Sequence, residues 1–302
     1  MADQTNIAIL GGGLMGAGIA VVFAKAGHPV KVYEPNADAR DSLQERASQI
    51  LNALRAPLAS LDHISVCDEL EQAVSGAAFI TEAAPEKPDL KRSIFADVER
   101  MAASDAVIAS NTSVIPIGQI TEGLASAERM VGTHWWNPPY LVPLVEVVQT
   151  DRTSTTTIWK TLSLLTSVGK SPAHIKKDVP GFVANRLQHA LWREAIAMVA
   201  EGICDAQTLD HCVKSSFGLR LAVLGPLENA DLVGLDLTLD IHKTIIPELD
   251  RSAGPNPFLE EQIAKGKLGC KSGEGFRAWT EEEVAELRNR LTQHLVKSVT
   301  TG

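Results

Sequence analysis

The chain has 302 residues, 45% hydrophobic and 22% charged, with mean hydropathy near zero. That is enough for two domains and a sizeable core, and no run approaches the roughly eighteen apolar residues of a membrane span. With 28 basic residues against 37 acidic ones the formal charge is −9, and no basic stripe offsets it, which excludes a generic nucleic-acid binder. Cys67, Cys204, Cys212 and Cys270 include no C-x-x-C pair, so neither a zinc site nor a disulfide framework is expected. A strand begins almost at once, so no signal peptide is expected, and the thiols read as those of a cytoplasmic protein.

The apolar run Asn6–Leu10 ends in glycines, residues 14–26 read as a helix, and a second strand lies within His28–Tyr33. This strand-helix-strand spacing of about thirty residues is that of a βαβ unit. Residues 38–56 follow as a helix with Leu43, Ala47, Ile50, Leu51 and Leu54 on one face. A short strand at 64–66, a short helix at 70–74, a buried strand at 78–82, a helix at 91–101 and a strand at 106–110 continue the alternation. The pattern predicts a mostly parallel, doubly wound sheet with helices on both faces. The run Val131–Pro139 and the run Leu144–Val148 come next, placing His134 at the end of one apolar segment and Glu146 inside the following one.

The pattern changes at the turn Asp178-Val179-Pro180-Gly181. A long apolar-periodic helix is expected from Val183 to about Glu201, then helices at 206–216, 226–245, 256–266 and 281–299, with no further strands. The expected organisation is an α/β domain over residues 1–180 and an all-helical domain over 181–302.

Gly11, Gly13 and Gly16 form G-x-G-x-x-G between a strand and a helix, inside a βαβ unit. The first glycine permits the tight turn, the second lets the backbone approach a pyrophosphate, and the third allows close helix–strand packing. The helix start adds free N–H groups and a positive dipole. Glu34 ends the second strand, where an acidic side chain binds the adenosine ribose hydroxyls and repels a 2′-phosphate; NAD is favoured over NADP. These features predict a Rossmann-like dinucleotide-binding domain.

The other seven histidines, at 28, 63, 174, 189, 211, 242 and 294, show no supporting pattern. His134 stands where strand ends of such a sheet meet the ligand crevice, and a neutral imidazole held by a carboxylate is a proton acceptor of suitable strength near neutral pH. Glu146, flanked by Leu144, Val145, Val147 and Val148, needs a partner inside so apolar a run. Spacing leaves open whether that partner is His134 or an arginine. Ser110–Ser113 also reads as a polar turn after a strand, and Asn185 as a helix cap.

Over nearly its whole length the chain resembles the 3-hydroxyacyl-CoA dehydrogenase superfamily. The resemblance rests on the Gly11 loop, Ser110-Asn111-Thr112-Ser113, Gly132-Thr133-His134 through Asn137-Pro138, Leu144-Val145-Glu146-Val147, Asp178 through Arg186, Gly225-Pro226, and Lys271 through Phe276, all in order. It implies an NAD-binding domain followed by a helical domain like the C-terminal one of 6-phosphogluconate dehydrogenase, dimeric through those helices. It also implies roles: His134 as general base, Glu146 holding its imidazole, and Ser113 and Asn185 hydrogen-bonding the substrate oxygen. Leu14, Met15 and Ala84 would line the cofactor, with Asn111, Glu86 and Lys91 near its nicotinamide end.

The chain departs from the CoA-using members, which carry a lysine-rich helical insertion after the second strand. Between Lys31 and Lys87 there is no lysine, and the only cations of that kind are Arg40, Arg46 and Arg55. Phosphate-rich CoA needs cationic partners. Trp135-Trp136 stands where the family usually has two phenylalanines, followed by Pro138-Pro139-Tyr140. The pattern is closer to the branch acting on small free acids, which includes L-gulonate 3-dehydrogenase with its lambda-crystallin relative, carnitine dehydrogenase and 5-formyl-3-hydroxy-2-methylpyridine 4-carboxylate 5-dehydrogenase. Arg220, before Gly225-Pro226, is the candidate partner for a substrate carboxylate, a surface salt bridge being its other reading. The tryptophans read either as core or as walls of an apolar or cationic substrate moiety. The expected activity is NAD-dependent oxidation of a small 3-hydroxy acid, or a related hydroxyl or aldehyde acid. Two alternatives are a 3-hydroxyacyl-CoA dehydrogenase, such as one for 3-hydroxybutyryl-CoA, and a non-catalytic, crystallin-like NAD-binding protein.

Overall fold

The computed structural model describes residues 4–300. They fall into two compact units, one of residues up to 185 together with those from 293 onward, the other of residues 186–292.

The first unit is built on an eight-stranded sheet. Its strands are β1 (Ile7–Leu10), β2 (Val30–Tyr33), β3 (Ile64–Cys67), β4 (Phe79–Glu82), β5 (Val107–Ser110), β6 (Met130–Trp135), β7 (Leu144–Val148) and β8 (Ser171–Ile175). They lie in the order β3-β2-β1-β4-β5-β6-β7-β8. All neighbours are parallel except β6 and β7, which run antiparallel. The chain winds outward from β1 to β3, returns to β4 and winds the other way. The switch point therefore lies between β1 and β4, where ligands bind in folds of this kind.

The helices of this unit are α1 (Leu14–Lys25), α2 (Ala37–Asp41), α3 (Leu43–Ala53), α4 (Leu70–Val74), α5 (Pro88–Met101), α6 (Ile117–Ile120) and α7 (Thr155–Ser167). The central strands β1, β4 and β5 are buried at every residue, which is why they read as continuous apolar runs rather than alternating ones. Two apolar clusters result. One joins Ile9, Phe23, Leu43, Trp135 and Val145; the other joins Leu10, Phe95, Ile108, Ile117 and Phe182. Helix α1 is buried from Gly16 to Ala24 and is apolar on all sides, as a helix enclosed by the rest of a domain must be. Helix α5 starts with Pro88, whose fixed φ suits the first turn.

The helix expected over 38–56 is broken at Ser42, whose hydroxyl donates to the carbonyls of Asp38 and Ala39. Such local bonding competes with helix continuation. Helix α7 and strand β8 lie in a stretch that the alternation leaves unassigned. Strand β8 pairs only with β7 and so lies at the sheet edge, where Pro172 can be tolerated without losing a ladder bond.

The second unit holds most of α8 (Ala184–Ala200), then α9 (Ala206–Ser215), α10 (Pro226–Val233), α11 (Leu235–Ile245), α12 (Pro257–Ala264) and the start of α13 (Glu281–Thr300). Among the described residues its only β pairing is the pair of isolated bridges Gly269–Glu274 and Glu274–Ala278. The segment 226–245, expected as one helix, is two. Gly234 separates them with φ +104, a conformation that glycine alone adopts readily. No helix among the described residues is long and apolar enough to cross a membrane.

Candidate active site

The turn from β1 into α1 presents a crevice of about 600 Å³, bounded by the glycine loop, the end of β2 and the Ala83–Pro85 segment after β4. Each glycine is needed for a different reason. A Cβ on Gly11, whose φ is +107, would meet the Ala83 carbonyl oxygen at 2.8 Å, and one on Gly16 would lie 1.8 Å from the Gly11 carbonyl oxygen. A Cβ on Gly13 would meet nothing within 4 Å, so that backbone faces open space where a pyrophosphate can approach. Glu34, nearly buried, accepts the Gly12 N–H at 2.7 Å on one oxygen and the Asn36 N–H at 2.9 Å on the other. The carboxylate thus holds the loop's shape and keeps lone pairs for ribose hydroxyls. Leu14 and Met15 line the same crevice, as does Ala84, with Tyr33, Leu90 and Ile94 forming an apolar slot suited to a flat base. These residues fit NAD: small backbone where the phosphates pass, acid where the ribose lies, apolar wall beyond.

His134 is the last residue but one of β6, and β7 returns antiparallel so that His134 is paired directly with Glu146 in the ladder. Directly opposed residues put their side chains side by side on one face of the sheet. The His134 Nδ1 lies 2.8 Å from Glu146 Oε2, with both side chains buried. An ionised carboxylate only accepts, so Nδ1 carries the hydrogen and Nε2 keeps its lone pair for a substrate proton. The arginine alternative for Glu146 is thereby set aside. The other oxygen of Glu146 accepts the N–H groups of Val183 at 2.9 Å and Ala184 at 3.0 Å, at the start of α8. Burial alone would push this carboxyl up; the hydrogen bonds from His134, Ala184 and Val183 outweigh it and hold Glu146 below its ordinary value. The chain reaches that position through Gly181 and Phe182, both at positive φ. Phe182 is a bulky residue in the left-handed region and is 1% exposed, a strained arrangement retained by its packing. Its ring centroid lies 5.6 Å from that of His134, and Trp136 flanks the imidazole at 5.3 Å.

Ser113 follows β5 on a loop held by Glu86, whose Oε1 accepts the Thr112 hydroxyl at 2.6 Å and the N–H groups of Ser113 at 2.9 Å and Val114 at 3.2 Å. Burial raises the Glu86 carboxyl, but the Thr112 bond, Lys91 and the two backbone bonds bring it below its usual range. Asn185 donates from Nδ2 to the Ser113 carbonyl at 3.1 Å; it lies inside the first turn of α8 rather than capping it. The side-chain oxygen of Asn111 accepts the Trp135 N–H at 2.9 Å, which leaves its amide N–H₂ for a ligand. The sequence places Lys91 near the cofactor, but its side chain is wholly buried. It donates to Glu82 Oε1 at 2.7 Å and the Ala84 carbonyl at 3.1 Å, and pairs with Glu86 Oε2 at 3.3 Å. Its three N–H groups are thus matched by three protein oxygens.

The two tryptophans part company. Trp135 is 2% exposed and packs edge-on against Phe23, with the Lys170 ammonium 5.5 Å above its ring. It is core. Lys170 donates to the carbonyls of Pro139 and Val142, and burial lowers its ammonium to about 8. The same loop can lie against α1 because Gly18 has no Cβ; one would sit 2.5 Å from Pro139. Arg220 belongs to the second unit, exposed at the end of the short turn Phe217–Leu219, and makes no ion pair among the described residues, so the surface salt bridge is absent. Sequence reasoning gave no role to Glu82, Thr112 or Phe182. Only the two acids spaced around Ala83–Pro85 hint at the first, and the other two stand within motifs of the resemblance without a role of their own.

The family model described as the 3-hydroxyacyl-CoA dehydrogenase NAD binding domain matches residues 6–179, and that of the C-terminal domain matches residues 181–279. The chain is 36% identical over 296 residues to 5-formyl-3-hydroxy-2-methylpyridine 4-carboxylate 5-dehydrogenase of Mesorhizobium japonicum, covering 96% of each. It is 41% identical over 233 residues to L-carnitine dehydrogenase of Streptomyces coelicolor, covering 76% of this chain and 73% of that one. A solved structure of a 5-formyl-3-hydroxy-2-methylpyridine 4-carboxylic acid 5-dehydrogenase, described as an NAD⁺-dependent dismutase, superposes with TM-score 0.90 at 35% identity, covering 98% and 97% of the two chains.

Proposed function

The chain belongs to the 3-hydroxyacyl-CoA dehydrogenase family and is an NAD-dependent dehydrogenase, and on that premise we propose that it oxidises the hydroxyl-bearing carbon of a small free 3-hydroxy acid, or a related hydroxyl or aldehyde acid. The carrying observation is the buried His134–Glu146 pair, with Glu146 kept ionised by three hydrogen bonds. Bound NAD supplies the acceptor for the hydride leaving that carbon. His134 Nε2 takes the hydroxyl proton, and Glu146 stabilises the resulting imidazolium. Ser113 and Asn185, tied together through the Ser113 carbonyl, hold the reacting oxygen. Phe182 and Trp136 enclose the imidazole and limit water at it. Gly11, Gly13, Gly16, Glu34 and Asn111 hold the cofactor.

A free acid rather than a CoA thioester is supported by the segment after β2. Of its three arginines, Arg40 donates to the Glu34 and Pro35 carbonyls and Arg46 to those of Ser42 and Ala39, so both are engaged by main chain rather than presented to phosphates. Arg220, without an ion-pair partner among the described residues, is the proposed cation for the substrate carboxylate. The relatives named for carboxylate-bearing small molecules favour the same class. A homodimer completed through the helical unit is part of this reading. It is supported by the apolar side chains that unit leaves exposed, among them Val223, Leu227 and Leu232. A cytoplasmic location is supported by four free cysteines.

The test is a turnover screen with NAD against hydroxy acids, carnitine-like betaines and pyridine aldehydes, beside acetoacetyl-CoA with NADH. The expected result is kcat/KM for a free acid well above that for the thioester. Efficient turnover of acetoacetyl-CoA alone would reverse the substrate assignment, and no turnover of any of them would remove the catalytic one.

A further inference from the structure

Glu82 closes β4 with its side chain fully buried, and it serves three donors: the Lys91 ammonium at 2.7 Å, the Ser110 hydroxyl at 2.6 Å and the Ala84 N–H at 2.6 Å. Lys91 in turn reaches the Ala84 carbonyl and Glu86, and Glu86 gathers Thr112, Ser113 and Val114. One continuous set of bonds therefore runs from the wall of the dinucleotide crevice to the loop carrying Ser113. A buried charge pair of this kind adds little net stability over an apolar pair of equal volume, so its presence calls for another account. Resting on the dehydrogenase reading above, we propose that the Glu82–Lys91 pair is a positioning device. It locks the Ala83–Glu86 segment to the Asn111–Val114 loop, so that the nicotinamide end of the cofactor and the substrate hydroxyl are set at one distance. Lys91 acts through Glu82, Ala84 and Glu86, whose oxygens meet its ammonium.

Three full-length variants separate this from a direct cofactor contact and from plain core packing: Lys91→Met, Glu82→Gln and the double variant. Lys91→Met strands a buried carboxylate and lowers Tm. The double variant removes both charges and recovers most of that loss. For the double variant the expected NADH dissociation constant, from fluorescence titration, lies within about threefold of the parent. Its expected kcat, on the fastest substrate of the screen, falls about 10–100-fold, as for other small misplacements of reacting groups. Its deuterium isotope effect rises as hydride transfer becomes limiting, and bound NADH shows a shorter emission lifetime because its nicotinamide is less held. Recovery of kcat together with Tm would reduce the pair to packing. A weakened NADH affinity with unchanged kcat would make Lys91 a cofactor ligand. If the parent protein turns over no substrate, the dehydrogenase reading fails on its own, and the lifetime of bound NADH still decides: an unchanged lifetime in the double variant overturns the positioning role.

Discussion

The two units differ in what they do with apolar side chains. The first places Phe23, Phe79, Phe95 and Phe182 at 2% exposure or less, in two clusters that cover both faces of its sheet. The second buries only Ala197, Gln262 and Val284, and leaves Val223 85%, Leu227 79% and Leu232 75% exposed. The first is a domain with its own core, on which a buried ion pair and a strained phenylalanine can be held. The second has the composition of a core without an enclosure, as expected of helices that finish their packing against another surface.

That contrast can be broken in four ways. His134→Ala is expected to lower kcat by about 10²–10⁴, the factor for a lost general base, while NADH affinity stays near the parent value and Tm falls because the buried Glu146 carboxylate loses a donor. A kcat within about tenfold of the parent would remove His134 as the base. Phe23→Ala, a truncation inside the first core, is expected to cost about 3–5 kcal/mol in urea unfolding; a much smaller cost would show that core to be loosely packed. Leu227→Glu with Leu232→Glu is expected to convert the proposed dimer to a monomer in light scattering, whereas Trp159→Glu, also exposed but on the first unit, leaves the mass unchanged. A dimer that survives the double change would detach the exposed helices from assembly. Acid gives the smallest effect. Glu146 and Glu86 are held below their ordinary value of 4.5, so their contribution is present above that pH and fades as pH falls through their lowered values. Stability should therefore drop below pH 4.5, and drop less in Glu146→Gln; an equal drop would mean other carboxylates carry the effect.

The sheet and its ligand end were legible because their signals are local. Glycines at 11, 13 and 16 follow a fully apolar strand, and the acid Glu34 comes directly after the next one. His134 and Glu146 were singled out in the sequence, but their spacing left an arginine open as the partner of Glu146; the antiparallel register that opposes the two is what the sequence did not show. Strand β8 was not, because an edge strand needs only one ladder and Ser171-Pro172-Ala173-His174-Ile175 lacks the apolar run of a central one. Glu82 and Thr112 were given no role for another reason. Each matters through partners far away in sequence, Glu82 through Lys91 and Ser110 and Thr112 through Glu86, and no periodicity encodes such a meeting. Lys91 shows the converse: its spacing from Glu86 marked it as important but could not say that its ammonium points into protein.

The antiparallel ladder of β6 and β7 also bears on how this scaffold can diversify. His134 and Glu146 are opposed by strand register, and the Asn137–Pro143 segment between them takes no part in that pairing. Residues in the segment can be exchanged, added or removed without sliding one strand along the other, so new substrates can be tried while the proton-transfer machinery is inherited intact.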